Sequence, residues 1–241
     1  MLSHKHPHVR DSNISFKEYG HIYTIKECKK NISVTTWVKN KFEKFDAENI
    51  INNMMESPKW IHNKYFGMTK DEIKKLWKNN GSVAAELGTK MHKMFENHYN
   101  DLDIKDELKT TIEYEYFMNF LKDYPDLVPY RSEWMIYDET RQIAGSVDMI
   151  FINPDKSVSI YDWKRCKSID KFNNFNKYSI DPDYSTTPDT NFWHYTLQLN
   201  MYKTILEDKY GLSVSELYLV CIHPDLHNTY KKIEVPFVTI K

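Results

Sequence analysis

The sequence predicts an α/β protein with a central mixed β-sheet flanked by helices. Its 241 residues are 41% hydrophobic and 15% aromatic, which is enough to bury one sizeable core. Candidate elements follow the order helix, three strands, helix, strand. No internal repeat or linker-like tract interrupts the chain. We therefore expect one globular domain, with an N-terminal hairpin and helical extension over residues 1–81 packed on a core over 82–241.

The N-terminal part is expected to contain a hairpin followed by helices. Apolar residues alternate over 14–16 and 21–25, on either side of a turn at 18–20, as in a small hairpin. Helical regions are expected at 37–55 and 82–99. The second helix is expected to begin at Ser82 as N-cap, and its apolar residues at helical spacing are Val83, Leu87, Met91, Met94 and Phe95. It carries His92 and Glu96.

The rest of the chain supplies the predicted sheet. A helix at about 106–124 ends before Pro125, and strand-like segments follow at 131–137, 143–152 and 158–164. Turn signals at 138–139 and 153–155 separate these segments, which predicts a meander. After a polar stretch that contains aromatic residues, a helix over 192–210 is stopped by Gly211, and a buried strand is expected at 217–222.

Charge and cysteine usage exclude several classes of protein. Lys and Arg number 33 against 34 Asp and Glu, so any binding of nucleic acid must use local patches rather than overall basicity. Cys28, Cys166 and Cys221 are far apart in sequence and form no CxxC pair, which argues against a disulfide framework or a thiolate zinc site. No apolar run approaches the roughly 20 residues that span a bilayer, and no signal peptide is evident. We expect a soluble, intracellular protein with no membrane partner.

The most informative segment is Asp162-Trp163-Lys164. Alternate side chains of a strand share a face, so Asp162 and Lys164 are expected to project together. Asp148 lies 14 residues earlier on the preceding strand, and antiparallel pairing would bring the two carboxylates within reach of one cation. Hard oxygen ligands favour Mg²⁺ or Mn²⁺. The tripeptide alone also fits a solvated strand edge with a surface ion pair, but its aromatic and apolar neighbours favour a strand that enters the core.

These residue types suit hydrolysis of a phosphodiester. That reaction requires the charge on the phosphate to be stabilised and a water molecule to be made nucleophilic, and a carboxylate-bound metal ion can do both. Lys164 would orient or deprotonate the water.

Four short motifs occur along the chain in one order. They are Gly88-Thr89-Lys90-Met91-His92, Gly145-Ser146-Val147-Asp148, Asp162-Trp163-Lys164 and Gln198-Leu199-Asn200-Met201-Tyr202. In this the chain resembles the RecB-type branch of the PD-(D/E)XK nuclease superfamily, which includes mitochondrial genome maintenance exonucleases and viral and phage exonucleases. The resemblance covers about 82–224 and implies a restriction-endonuclease-like core. Val147 replaces the proline of the superfamily's name, a departure common in this branch.

The resemblance assigns roles to individual residues. It implies His92, Asp148, Asp162 and the Trp163 backbone carbonyl as metal ligands, and Asp148, Asp162, Lys164, Gln198 and Tyr202 as catalytic residues. From spacing alone, His92 would more often be a packed or surface histidine, and Gln198 and Tyr202 would be polar and core positions of a helix.

Two further carboxylates are candidates for support around the metal. Glu96 lies one turn beyond His92 and is expected either to orient the imidazole or to be solvated. Glu133 is expected either to reach the metal or to pair with Lys164, and ordinary salt bridging is the simpler alternative.

A stretch after the Asp-x-Lys strand interleaves cations with aromatic residues. Its candidate nucleic-acid-binding residues are Arg165, Lys167, Lys171, Phe172, Phe175 and Tyr178. Cations follow a phosphate backbone and aromatic faces stack on unpaired bases, so this composition suits single-stranded DNA, although an ordinary loop with an aromatic cluster has the same composition.

The sequence therefore predicts an Mg²⁺- or Mn²⁺-dependent deoxyribonuclease, an exonuclease that acts on single-stranded ends. The alternatives are an inactive nuclease-fold module that binds nucleic acid, an endonuclease of the same fold, and a non-nuclease metalloprotein that uses some of the ten histidines. No helicase P-loop is present, so unwinding would require a helicase or another replication or repair partner.

Overall fold

The computed structural model describes residues 1–28, 31–227 and 229–241. The helices are α1 (Leu2–Lys5), α2 (Val34–Lys39), α3 (Ala47–Glu56), α4 (Lys70–Tyr99), α5 (Asp106–Lys109), α6 (Ile112–Asp123) and α7 (Asn191–Tyr210). The strands are β1 (Ile14–Lys17), β2 (Ile22–Ile25), β3 (Ile32–Ser33), β4 (Val128–Asp138), β5 (Ile143–Ile152), β6 (Val158–Lys164), β7 (Val214–Cys221) and β8 (Lys231–Glu234).

Six strands in the described part of the chain form one mixed sheet. Strands β4, β5 and β6 form an antiparallel meander, and after α7 the chain returns as β7, which pairs parallel with β6. Strand β3 pairs parallel with β5, and β8 pairs antiparallel with β7. Strands β1 and β2 form a separate antiparallel hairpin. The predicted central mixed sheet flanked by helices is confirmed, as is the predicted N-terminal hairpin.

The two faces of the sheet bury different helices. Helix α7 and the hairpin pack on one face, where Ile160 and Leu199 belong to the same hydrophobic cluster. Helices α4 and α6 pack on the other face, where Met94 and Phe117 surround Trp163. Strand β6 is buried on both faces up to Lys164, so its polar residues lie inside the molecule rather than at a solvated edge. This burial contradicts the surface ion-pair alternative for Asp-x-Lys.

Helix α4 is longer than the sequence analysis anticipated. It begins after Thr69, whose side chain accepts a hydrogen bond from the Glu72 amide while Glu72 bonds back to the Thr69 amide, so the two form a capping box. The predicted start at Ser82 is wrong, because residue 82 lies inside a continuous helix. Residues 74–90 are mostly exposed, Val83 included, so the apolar spacing in this part of the helix does not mark a buried face, whereas Met91, Met94 and Phe95 are buried.

Other boundaries differ in smaller ways. The helical region expected at 37–55 is divided into α2 and α3, with residues 40–46 between them. The helix expected at 106–124 breaks before Thr111, whose side chain caps α6. Helix α7 ends at Gly211, as predicted, in a left-handed conformation with φ of 67°.

In the described residues, no helix is both long and apolar enough to cross a bilayer.

Candidate metal centre

Three side chains from three elements meet at the edge of the sheet. His92 of α4 places its Nδ1 3.3 Å from Glu133 Oε1 of β4 and 3.6 Å from Asp148 Oδ2 of β5. One potential ligand atom from each residue lies within 4.8 Å of the other two. In the part of the chain that the structure describes, His92, Glu133 and Asp148 form a group of side chains that are close enough together to hold one metal ion.

The backbone at Glu133 has an unusual conformation. In the β4–β5 register Ser132 faces Met149 and Trp134 faces Val147, so Glu133 falls opposite Asp148, where the ladder is interrupted. Glu133 has φ of 44°, in the left-handed region that costs a residue with a side chain about 1–3 kcal/mol. Ser146 Oγ donates a hydrogen bond of 3.1 Å to Glu133 Oε2 and so helps to hold the carboxylate.

Asp148 is anchored from the neighbouring strand. The Trp163 backbone amide donates a hydrogen bond of 2.8 Å to Asp148 Oδ2. The Asp148 side chain is only 10% exposed, and burial raises the pKa of this carboxyl despite the opposing charge of His92. The structure thus brings the Trp163 backbone to the cluster through its amide nitrogen.

Asp162 lies deeper than Asp148 and has different partners. Its Oδ2 is 2.6 Å from Lys164 Nζ, and its Oδ1 accepts a hydrogen bond of 3.2 Å from Gln198 Nε2. Burial and the nearby charge of Asp148 raise the pKa of Asp162 to about 6, although Lys164 opposes this shift. Gln198 Nε2 also donates to Tyr202 Oη at 3.2 Å, so α7 supplies a pair of side chains that fix the position of Asp162.

Gly145 explains how Tyr202 reaches this position. A Cβ atom at Gly145 would lie 2.6 Å from Tyr202 Cε1, closer than packed atoms approach, and 3.2 Å from Val34 Cγ2, a tight contact. The glycine two residues after the start of β5 therefore allows the tyrosine ring to lie directly against the strand. This gives a physical reason for the glycine of the Gly-x-x-Asp motif.

The charges at the centre are tightly balanced. Burial disfavours the imidazolium form of His92, but Asp148 and Glu133 outweigh burial and raise the pKa of His92 to about 9. Burial likewise opposes the charge on Lys164, but Asp162 and Asp148 raise the pKa of its ammonium group well above the ordinary value. A divalent cation would replace the proton of His92 as the compensating charge, and an imidazole nitrogen with two carboxylate oxygens is a donor set that Mn²⁺ and Mg²⁺ accept. The residues present therefore fit a divalent metal ion.

The two carboxylates predicted to support the metal, Glu133 and Glu96, have different positions. Glu133 lies in the cluster itself, and its contacts are with His92 and Ser146. The other candidate, Glu96, places its Oε2 2.8 Å from Lys93 Nζ and lines the cavity of about 630 Å³ that opens beside His92.

Two contacts at the centre were missed by sequence reasoning. The hydrogen bond from Ser146 has a local signal, because Ser146 lies inside the Gly-x-x-Asp motif. Lys164 Nζ lies 4.5 Å from the centre of the Tyr195 ring, a cation–π contact. Tyr195 is three residues before Gln198 and so shares its helix face, which is a signal that spacing could have given.

The predicted nucleic-acid-binding residues divide into two groups. Phe172 and Phe175 are more than 80% exposed, and Tyr178 is 46% exposed. The cations are engaged within the protein: Arg165 Nε lies 2.8 Å from Glu113 Oε1, Lys167 pairs with Asp225, and Lys171 Nζ lies 4.7 Å from the centre of the Phe192 ring.

Two cysteines that are distant in sequence are neighbours in the fold. Cys221 is opposite Lys164 in the β6–β7 register, and its Sγ lies 3.6 Å from Cys166 Sγ. Their separation in sequence therefore gives no indication of this contact in the fold. Both are free thiols, so no disulfide joins the strands.

Comparisons with known proteins include a distant structural likeness. No family model matches the chain, and no curated protein matches it. Among solved structures, the chain is similar to a crystal structure from Eubacterium rectale described as "Putative exonuclease", at 11% identity and a TM-score of 0.34. The alignment covers 86% of this chain and 73% of that chain.

Proposed function

We propose that the chain is a metal-dependent nuclease that hydrolyses DNA phosphodiester bonds from single-stranded ends. One observation carries the proposal: the His92, Glu133 and Asp148 cluster is joined through the Trp163 amide to the strand that presents Asp162 and Lys164. A metal site and a buried ammonium group thus lie on adjacent strands. Phosphodiester hydrolysis needs a metal ion that activates water and a positive charge near the phosphate.

The cluster would hold Mg²⁺ or Mn²⁺. His92, Glu133 and Asp148 would supply one nitrogen and two oxygen ligands, and the imidazole favours Mn²⁺. A bound ion of this kind lowers the pKa of a water ligand and neutralises charge on the phosphate. Asp162 and the Trp163 carbonyl remain predicted further ligands.

Lys164 would act as a fixed positive charge. Because Asp162 and Asp148 keep its ammonium group protonated, Lys164 is suited to orient a water molecule or a phosphate oxygen rather than to remove a proton. This favours the first of the two roles suggested by the sequence. Gln198 and Tyr202 would act through Asp162, since Gln198 contacts both Asp162 and the tyrosine hydroxyl.

The choice of substrate rests on the exposed aromatic residues after β6. Phe172, Phe175 and Tyr178 offer rings to solvent, and unpaired bases stack on such rings with about 1–3 kcal/mol each, whereas bases inside a duplex cannot. The chain's formal net charge is −1, so local contacts of this type would dominate binding. An end-directed enzyme would pass the strand over these rings to the metal centre.

A cleavage assay on matched substrates tests the proposal. Purified protein is incubated with one single-stranded DNA in circular and in linear form, and with its duplex, with Mn²⁺, Mg²⁺ or EDTA. Metal-dependent loss of the linear strand, with slow cutting of the circle, is expected. Equal rates on circle and linear strand would assign an endonuclease instead. Binding without cleavage under every metal condition would assign the inactive module, and full activity in EDTA would refute the metal mechanism.

A further inference from the structure

A cavity of about 630 Å³ adjoins the metal cluster and has two unlike walls. One wall is the hairpin, where Phe16, His21 and Tyr23 form an aromatic group: the Phe16 ring centre lies 4.9 Å from His21 and 4.7 Å from Tyr23. The opposite wall is the exposed part of α4, where Ala85, Gly88 and Thr89 lie at helical spacing.

The α4 wall is smooth because its residues are small. A Cβ atom added at Gly88 would have no neighbour within 4 Å, so the space beside this glycine is open. Glycine inside a helix costs about 1 kcal/mol relative to alanine, so its presence here is not explained by helix stability. A second helical glycine, Gly81, is equally unhindered but does not line the cavity.

The cavity is continuous with the proposed reaction centre. His92 and Glu133 belong both to the metal cluster and to the cavity lining. Lys93 also lines the cavity, where its ammonium group pairs with Glu96 at 2.8 Å. A group bound in the cavity would therefore be directly adjacent to a phosphate held at the cluster.

We propose that this cavity is a slot for a single unpaired nucleobase of the strand whose phosphate lies at the His92, Glu133 and Asp148 cluster. The inference rests on the proposed function and adds a specific site to it. The Phe16 ring would stack on the base, His21, which lies at 82° to Phe16, would contact the base edge-on, and the glycine wall leaves room for the other face of the base. A base in a duplex is already stacked and paired, so the slot selects for a single strand at the point of cleavage.

Binding of modified oligonucleotides tests the slot. The probe is a fluorescent single-stranded DNA oligonucleotide, and in a matched series one nucleotide at a time is replaced by an abasic residue. Affinity is measured by fluorescence anisotropy in Ca²⁺, and cleavage is measured separately in Mn²⁺. We expect one position, or two adjacent positions, at which loss of the base weakens binding about tenfold.

Substitution of the two glycines supplies the matched comparison. Gly88→Leu would fill the slot, whereas Gly81→Leu would not, and both replace glycine by a stronger helix former. Gly88→Leu should weaken binding of the intact strand about tenfold and should have no effect on the strand that is abasic at the sensitive position. Gly81→Leu should bind both strands as the native protein does.

The outcomes separate the slot from the nuclease proposal. Metal-dependent cleavage with equal affinity for every abasic strand, or with unchanged binding by Gly88→Leu, would overturn the slot and leave the nuclease intact. Absence of both binding and cleavage would overturn both.

Discussion

The backbone amide of Trp163 donates a hydrogen bond to Asp148 Oδ2 across strands β5 and β6, at a distance of 2.8 Å. An asparagine at 148 retains an oxygen that can accept this bond but loses the negative charge. We therefore expect Asp148→Asn to fold normally and to cleave DNA at least about 10²-fold more slowly than the native protein. Cleavage rates and urea unfolding of the same preparations check this, with Asp126→Asn, an exposed position, as the control. A native rate in Asp148→Asn would remove this carboxylate from the mechanism.

Glu133 and Glu96 line the same cavity but differ in their contact with His92. If Glu133 is a metal ligand, Glu133→Gln should weaken Mn²⁺ binding by at least about tenfold, whereas Glu96→Gln should change it little. Calorimetric titration of each variant with Mn²⁺ makes the comparison. Equal losses in the two variants would indicate a general effect of negative charge rather than coordination by Glu133.

The raised pKa of His92 predicts that metal binding depends on pH. The imidazole must lose its proton to bind a metal ion, so below about pH 9 affinity should rise by about tenfold per pH unit if one proton is released. The stability of the metal-free protein depends on pH in the opposite direction. The imidazolium contribution to stability is complete below about pH 6.5 and is lost as the pH rises through about 9.

Mn²⁺ titrations at pH values between about 7 and about 8.5 would measure this dependence for the native protein and for His92→Ala. The variant should bind more weakly, with a flatter pH dependence, and higher Mn²⁺ should restore part of its cleavage. Identical pH profiles in the two proteins would mean that His92 is not a ligand.

Gly145 should tolerate no side chain. The buried ring of Tyr202 would lie 2.6 Å from a new methyl group, so Gly145→Ala should destabilise the fold by about 1–3 kcal/mol. It should also slow cleavage, because displacement of Tyr202 displaces Gln198 from Asp162. Gly81→Ala, at an open helical position, should instead be neutral or stabilising. Urea unfolding compares the two variants, and an unchanged midpoint in Gly145→Ala would show that Tyr202 can move freely.

The sequence predicted the central strands well because they are buried. Strands β5 and β6 have the predicted bounds, because a long apolar segment that ends at turn residues shows where a strand begins and ends. The start of α4 was missed because residues 78–82 are polar or glycine and interrupt the apolar spacing, although the Thr69 and Glu72 capping box was a usable signal.

The contacts of the site were harder to anticipate from sequence. Glu133 reaches His92 through cross-strand pairing with β5 and a left-handed backbone at one residue, and neither is visible in local sequence. The approach of Cys166 to Cys221 has the same origin, because it depends on how the chain returns through α7 to pair β7 with β6. The motifs that carry the resemblance predict His92, Asp148, Asp162 and Lys164 as site residues, and the tertiary structure shows which of them touch: His92 lies beside Asp148, and Asp162 beside Lys164.

Local unwinding of the exposed part of α4 would open the metal centre. Residues 78–90 have little packing to hold them, and a helical segment without packing unravels readily in water, the more so when it contains glycine. His92 lies one turn beyond Gly88 on the same helix, so local unwinding would detach the imidazole from the two carboxylates. Amide hydrogens from 82 to 92 should therefore exchange with deuterium faster than those from 93 to 99, and bound Mn²⁺ should slow exchange in the first stretch far more than in the second.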